Sequence, residues 1–304
     1  MKNKQPWLFS AIMNVVLMGI WGAFIEIPEK NGFPATLGYV VWAITMIPAA
    51  IFALKLQNWK IQFDRRSILF GMSVGLLGSI GQLALFFVLR IIPAYLVFPV
   101  IALTPLVTIL LAILFLKENT RPIGWLGIAL AIIAIILLSY QPPGNESVSG
   151  YLWLVLSAIP LLTWGIQGFI MRWANETSTA ESIFFWMMIS AVALSPIAIF
   201  MTDFSQPINW GFDGPYLAGI IQILNSIGAL FLVYAFRYGK AIVVSPLTTA
   251  LAPVLTVVIS LIFYRVIPHP IIITGIALAI FSALFMAMGD TQPVEKPKEK
   301  TGDA

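Results

Sequence analysis

From Ile91 to Leu116 the chain runs 26 residues without a charge, and from Ala241 to Tyr264 it runs 24 more. About 20 apolar residues in a helix cross the hydrocarbon of a bilayer. Several such runs in one chain leave no soluble fold that could hide them all. Only 10% of the residues are charged, against roughly a quarter in soluble domains. The chain is therefore read as a polytopic membrane protein. Backbone groups in hydrocarbon must be paired internally, which leaves helices or a closed barrel. The runs are continuous rather than short and alternating, so the fold class expected is all-α, integral to the membrane.

Breaking the runs at charges, turn residues and interfacial aromatics predicts ten spans, near 7–26, 34–54, 67–89, 93–116, 122–139, 150–172, 180–201, 214–236, 241–264 and 270–288. The tail from Thr291, TQPVEKPKEKTGDA, is polar and rich in Pro, Lys and Glu, a composition that cannot bury a core. Met1 to Pro6 leads into a full span rather than a cleavable signal. With the N-terminus inside, 14 basic residues fall on inner segments and three (Lys30, Arg90 and Arg265) on outer ones. That bias places both termini in the cytoplasm, with the protein in the plasma or inner membrane. The +4 net charge thus reports topology, and no nucleic-acid partner is expected. With no cysteine, disulfide and thiolate chemistry are excluded.

The chain also repeats itself. GIALAI at 127–132 returns at 275–280, and Pro122 matches Pro270 at the same offset of 148. GQLALFFVLR (81–90) resembles GALFLVYAFR (228–237), pairing Arg90 with Arg237 and then Pro99 with Pro246 at an offset of 147. WGAF (21–24) corresponds loosely to WGIQ (164–167). These anchors define a first five-helix repeat at 1–139, an outer linker at 140–149, a second repeat at 150–288 and a tail at 289–304. Five is odd, so the second repeat enters the membrane from the opposite side. Two inverted repeats are a signature of secondary transporters, whose halves exchange conformations around one midplane site.

The segment PVIALTPLVTILLAILFLKENTRPIGWLGIALAIIAIIL (99–137) resembles the end of an EamA-type repeat of the drug/metabolite transporter superfamily. In that repeat a Pro-containing fourth helix ends in a glutamate, followed by a short turn and a Gly-rich fifth helix. Glu118 stands at the glutamate position, and Gly124 and Gly127 at the glycines. Arg265 stands where the second repeat would carry its glutamate, so the match is asymmetric. The opening GIWGAFIEIPEKNGFPATLGYVVW (19–42) is similar, more loosely, to the carbohydrate-uptake branch of the superfamily. The resemblance implies ATP-independent movement of a small polar metabolite, amino acid, sugar or nucleotide sugar. A sugar facilitator and a lipid-linked substrate flippase are the alternatives. A ten-helix chain of this type can work as a monomer or a homodimer.

Ionisable groups at membrane depth are costly and usually functional. This chain has almost none there. Glu26, at the outer end of the first span, reads either as an interfacial charge or as a substrate or proton site. The uncharged amides Asn14, Gln82, Gln167, Gln222 and Asn225 lie within spans, where an unpaired amide costs several kcal/mol. Each is either interhelical glue or part of a wet cavity. Gln82 aligns with Ala229 and Asn225 with Gly78, and this asymmetry suits a site shaped for one solute. Gln82 and Asn225, on counterpart helices, are therefore the leading candidates to face one cavity. Trp21 and Trp164, paired by the repeat, either pack or offer an apolar face to the solute. Tyr95 and Tyr234 can supply hydroxyls.

Trp42 and Trp186 also fall inside spans, whereas Trp7, Trp59, Trp125, Trp153, Trp173 and Trp210 read as interfacial belt residues. Gly71, Gly75, Gly78 and Gly81 form a small-residue stripe suited to close helix packing. The matched prolines Pro99 and Pro246 are hinge candidates, because proline frees a carbonyl within a helix. In ENTRP (118–122), Thr120 is expected to cap the fifth helix, with Pro122 in its first turn. Glu118 then pairs with Lys117 or Arg121, or locks an inward gate. An intramembrane enzyme is disfavoured. The single histidine, His269, sits at an outer turn and no paired carboxylates lie at depth, so no catalytic residue, metal or cofactor is expected.

Overall fold

The structure, a computed structural model, describes residues 6–89, 97, 100–101, 103–138, 140, 152–264 and 269–289. The expectations for Arg90, Tyr95, Pro99, Arg265, the linker beyond residue 140, the Trp153 side chain and the tail lie outside the described residues. The described chain is helical: α1 (Pro6–Phe24), α2 (Glu26–Lys30), α3 (Ala35–Leu56), α4 (Arg65–Leu89), α5 (Thr104–Leu116), α6 (Pro122–Leu138), α7 (Leu152–Ala174), α8 (Ala180–Ala193), α9 (Ser195–Phe200), α10 (Leu217–Tyr238), α11 (Ala241–Tyr264) and α12 (Pro270–Gly289). Six helical segments are long and apolar enough to cross a membrane, and four shorter apolar helices stand at the remaining expected spans.

Departures from the ten simple runs have local causes. The first span does not continue straight past Phe24; the chain turns there, with Ile25 N donating to Trp21 O at 2.9 Å, and a separate short helix follows. The seventh span breaks at Leu194 because Pro196, in the first turn of α9, has no N–H to extend the ladder of α8. Before α10 the chain makes one wide turn over Phe212–Tyr216, with Gly214 in a non-helical conformation ahead of Pro215.

The packing exchanges partners between halves. The first helix of each half lies against the third and fourth of the other: α1 on α10 and α11, α7 on α4 and α5. The second of each half likewise packs on the third of the other, α3 on α10 and α8 on α4, while α6 packs on α12. A duplicated chain folded around an internal two-fold axis produces this pattern. One hydrogen bond shows it at atomic detail. Thr108 Oγ1 on α5 donates to Gly165 O on α7 at 2.9 Å, and Thr256 Oγ1 on α11 donates to Gly19 O on α1 at 3.0 Å. The two threonines stand 148 residues apart, the offset of the GIALAI repeat.

The core is apolar and continuous, with Tyr39, Met46, Met171, Phe184 and Phe236 among its largest fully buried side chains. The outside is also apolar: Phe9, Ile44, Phe52, Leu114, Phe115 and Ile262 are exposed. On a soluble protein such a surface would aggregate; against lipid it is solvated. Trp59, Trp125, Trp173 and Trp210 are exposed, but Trp7 is 3% exposed. It packs beneath Gly239 at the turn between α10 and α11, so its apolar ring is used for packing rather than in an interfacial belt.

Candidate functional site

On α10 the residues at 222, 225, 226 and 228 form a polar seam that faces α1 and α3. Trp21 Nε1 donates to Gln222 Oε1 at 3.0 Å, and Gln222 Nε2 donates to Gly38 O at 3.3 Å. One turn further along, Trp42 Nε1 donates to Asn225 Oδ1 at 2.8 Å. Thr45 and Ser226 hydroxyls meet at 2.8 Å, and Asn14 Nδ2 donates to Gly228 O at 2.9 Å. Indole N–H is a donor only, so both tryptophans must meet the amide oxygens. The two amides are thereby fixed with their NH2 ends pointing away from the indoles. Asn225, Trp21 and Trp42 are half-buried, whereas Gln222 and Asn14 are buried.

The counterpart face in the first half is built differently. At the offset of 147, Gln222 corresponds to Gly75 and Asn225 to Gly78. A Cβ at Gly71 would lie 2.5 Å from Trp186 Cβ, one at Gly75 2.6 Å from Met187 O, and one at Gly81 2.5 Å from Trp164 Nε1; Gly78 is filled by the Gln167 amide. Here the polar groups of α7 reach backbone instead of side chains. Trp164 Nε1 donates to Gly78 O at 3.1 Å and Gln167 Nε2 to Val74 O at 2.9 Å. One face of the bundle is closed by glycine packing, and the other carries amides.

The remaining candidates fall in several places. Gln82 is half-buried on α4, and among the described residues its amide meets no hydrogen-bonding partner. It is not part of the α10 seam, since α4 packs on α7 and α8 while α10 packs on α1 and α3. Tyr234 is taken up near the C-terminal end of α10, its hydroxyl donating to Glu181 Oε1 at 2.6 Å. Glu26 lies in α2 and forms a 2.7 Å pair with Lys30, the side chains 68% and 73% exposed respectively, an arrangement that suits an interfacial charge. Pro246 is buried in the first half of α11, beside Ser245 and Leu247.

Sequence reasoning passed over Trp42 as a partner and Gln222 as a leading amide. The signal was present: Trp42 and Trp186 stand 144 apart, close to the 143 that separates Trp21 from Trp164. Aligning the second spans on these tryptophans pairs an indole with each third span.

A second polar cluster gathers around the turn after α5, the end of α7 and the start of α11. Glu118 Oε1 accepts from Arg172 Nε at 2.9 Å, and its Oε2 accepts from Ile242 N at 3.2 Å. Both side chains of the pair are more than 90% buried. Glu118 therefore does not pair with Lys117 or Arg121 as the sequence suggested. Lys117 adopts a left-handed conformation as the C-cap of α5, and the turn carries Glu118 inward, under the last turn of α7. Thr120 does not cap α6 either. Its hydroxyl, wedged against Gly124, has no hydrogen-bonding partner among the described residues, while Asn119 Oδ1 accepts from Thr120 N at 2.8 Å and Trp125 Nε1 at 2.9 Å. Burial pushes the Glu118 carboxyl above its ordinary value, opposed by the Arg172 charge and the amides of Ile242 and Ala241.

Further ties join the halves at this end. Lys240 Nζ donates to Asn119 O at 2.8 Å, and the Ser67 and Ser178 hydroxyls meet at 2.8 Å. Gln62 accepts from Thr179 N at 2.7 Å through Oε1 and from Trp186 Nε1 at 3.1 Å through its carbonyl. The described residues thus bring together uncharged spans, an amide seam facing α1 and α3, and a polar cluster at one end of the bundle.

The profile of the EamA-like transporter family matches residues 5–140 and 148–288, once for each half. A riboflavin transporter of Rhizobium johnstonii is 24% identical over 209 residues, covering 69% of this chain and 67% of that protein. An uncharacterized protein of Methanocaldococcus jannaschii is 35% identical over 129 residues, 42% of this chain and 92% of its own length, so that relative is about one repeat long. A crystal structure that is 17% identical superposes with a TM-score of 0.75, covering 92% of this chain and 96% of that one, which shows a shared fold.

Proposed function

We propose that this chain, which belongs to the EamA-like transporter family, is a secondary carrier that moves a small polar metabolite by alternating access between its halves, 1–139 and 150–288. The observation that carries the reading is the pairing of Trp21 with Gln222 and Trp42 with Asn225 at membrane depth, at positions where the other half has glycine. A duplicated scaffold has no packing need for amides at 222 and 225 where its other half has glycine; a solute site does. The relative named a riboflavin transporter supports a small-molecule cargo.

In this reading the Glu118–Arg172 pair and the Lys240, Ser67 and Gln62 ties form the inner closure, which parts when the site turns to the cytoplasm. Both termini lie on that side, in a cell membrane, and one chain completes the pathway whether or not it pairs with a second copy. Gln82 lines the route from the opposite half, and Pro246 gives α11 its bending point. Glu26 remains a peripheral charge.

A thermal-stability screen of purified protein against riboflavin, sugars, amino acids and nucleotide sugars tests this. A solute present at ~100 times its dissociation constant stabilises the folded state by ~2.7 kcal/mol. Stabilisation that disappears in Asn225→Leu supports the site. Stabilisation that survives both Asn225→Leu and Gln222→Leu places binding elsewhere.

A further inference from the structure

The same seam also constrains the chemistry of its solute, an inference that rests on the carrier reading above. Trp42 occupies the oxygen of Asn225, so what this half-buried side chain presents is its Nδ2, with two N–H donors. Among the described residues no acceptor lies within hydrogen-bond distance of it. Gln222 is fixed in the same sense, its oxygen taken by Trp21 and its Nε2 directed at Gly38 O. The seam therefore has donors to give and few acceptors left.

The charges tell the other half. Among the described residues of the apolar helices, Lys55, Arg65, Arg66, Arg172, Glu181 and Arg237 sit at one end, and Glu26, Glu29, Lys30 and Asp213 lie beyond the other, in α2 and the turn before α10. None stands near the depth of Asn225, which is more than two turns from the outer start of α10. A net charge brought to that depth would meet no opposite charge, and burying an unpaired ion is far costlier than burying a hydrogen-bonded neutral group.

We infer that the seam selects an uncharged solute bearing a carbonyl or ring-nitrogen acceptor, which takes the free Nδ2 donors of Asn225, and that Trp42 is the positioning residue that makes Asn225 a donor. A hydroxyl-only solute such as a simple sugar both donates and accepts, and gains less from a face that only donates. Replacing Trp42 by Phe removes the indole N–H, leaving the Asn225 amide able to turn its oxygen to the solute.

Matched pairs differing by one charged group give the test: riboflavin against riboflavin 5′-phosphate, and uracil against orotate, with glucose as the sugar. Binding to the full-length chain is measured by isothermal titration in detergent. The expected result is binding of at least one neutral carbonyl solute at least ~10-fold tighter than its charged partner. Asn225→Leu loses at least ~10-fold of that affinity, or ~1.4 kcal/mol. Trp42→Phe, with its melting temperature checked, loses selectivity against glucose. Tighter binding of a charged partner or of glucose, or neutral binding indifferent to Asn225→Leu, overturns the inference and leaves the carrier reading standing. Failure of every probe to bind counts against both.

Discussion

Glu118 and Arg172, 54 residues apart, form a buried ion pair at 2.9 Å that joins the turn before α6 to the last turn of α7. The second carboxylate oxygen accepts from Ile242 N in the first turn of α11, so one side chain ties the turn before α6 to α7 and α11. Removing one partner of such a pair strands a buried charge, at a cost of ~3–5 kcal/mol. Glu118→Ala and Arg172→Ala should each lower the melting temperature sharply. The double variant Glu118→Leu with Arg172→Leu should recover most of the loss, because no lone charge remains. Scanning calorimetry in detergent checks both.

The raised Glu118 carboxyl gives this closure a pH sense. A folded-state value above the unfolded one means that the folded state holds the proton more tightly. Its contribution to stability is fully present below the ordinary value of 4.5 and is lost as pH rises through the folded value. Relative to Glu118→Gln, the wild-type chain should therefore lose stability as pH is raised across that window. Melting curves of the two proteins at matched pH steps measure the difference.

Asp64 titrates in the opposite sense. Its Oδ1 accepts from Ser67 Oγ at 2.7 Å and its Oδ2 from Ser67 N at 3.1 Å, at the start of α4. These hydrogen bonds hold the carboxyl below its ordinary 3.8. The capping contribution is present above that value and is lost as pH falls through the folded one. Asp64→Ala should cost ~1 kcal/mol at neutral pH, whereas Asp64→Asn should retain the cap and lose the acid dependence.

The glycine face should be intolerant of any side chain. A Cβ at Gly75 would lie 2.6 Å from the Met187 carbonyl oxygen, which is backbone and cannot rotate away. Gly75→Ala should cost ~1–3 kcal/mol through overpacking. Gly219→Ala, where the nearest atom is Val41 Cγ1 at 3.8 Å, should be neutral or slightly stabilising, since a helical glycine is replaced by alanine. The two variants compared in one denaturation series separate close packing from helix propensity.

Charge-free runs and the 148-residue repeat make the helical fold readable from the sequence, the runs because the bilayer acts as their solvent. Partners were harder to read. That Trp42 meets Asn225, or that Arg172 meets Glu118, depends on the rotation of helices about their axes, which a uniformly apolar helix does not encode in its hydropathy. The repeat places Gln82 and Asn225 on counterpart helices, but those helices have different neighbours, α4 packing on α7 and α8 and α10 on α1 and α3. Residue type favours Thr120 as the cap of α6, but its hydroxyl lies against Gly124 and meets no hydrogen-bonding partner among the described residues.

Counterflow tests the carrier reading most directly. Proteoliposomes are loaded with an excess of unlabelled solute, chosen from those that stabilise the protein, and given a trace of the same solute labelled outside. A carrier that reorients one site should accumulate label transiently above its equilibrium level, and Asn225→Leu should flatten that overshoot. Label that only equilibrates, at a rate indifferent to the solute inside, would identify a pore and contradict alternating access.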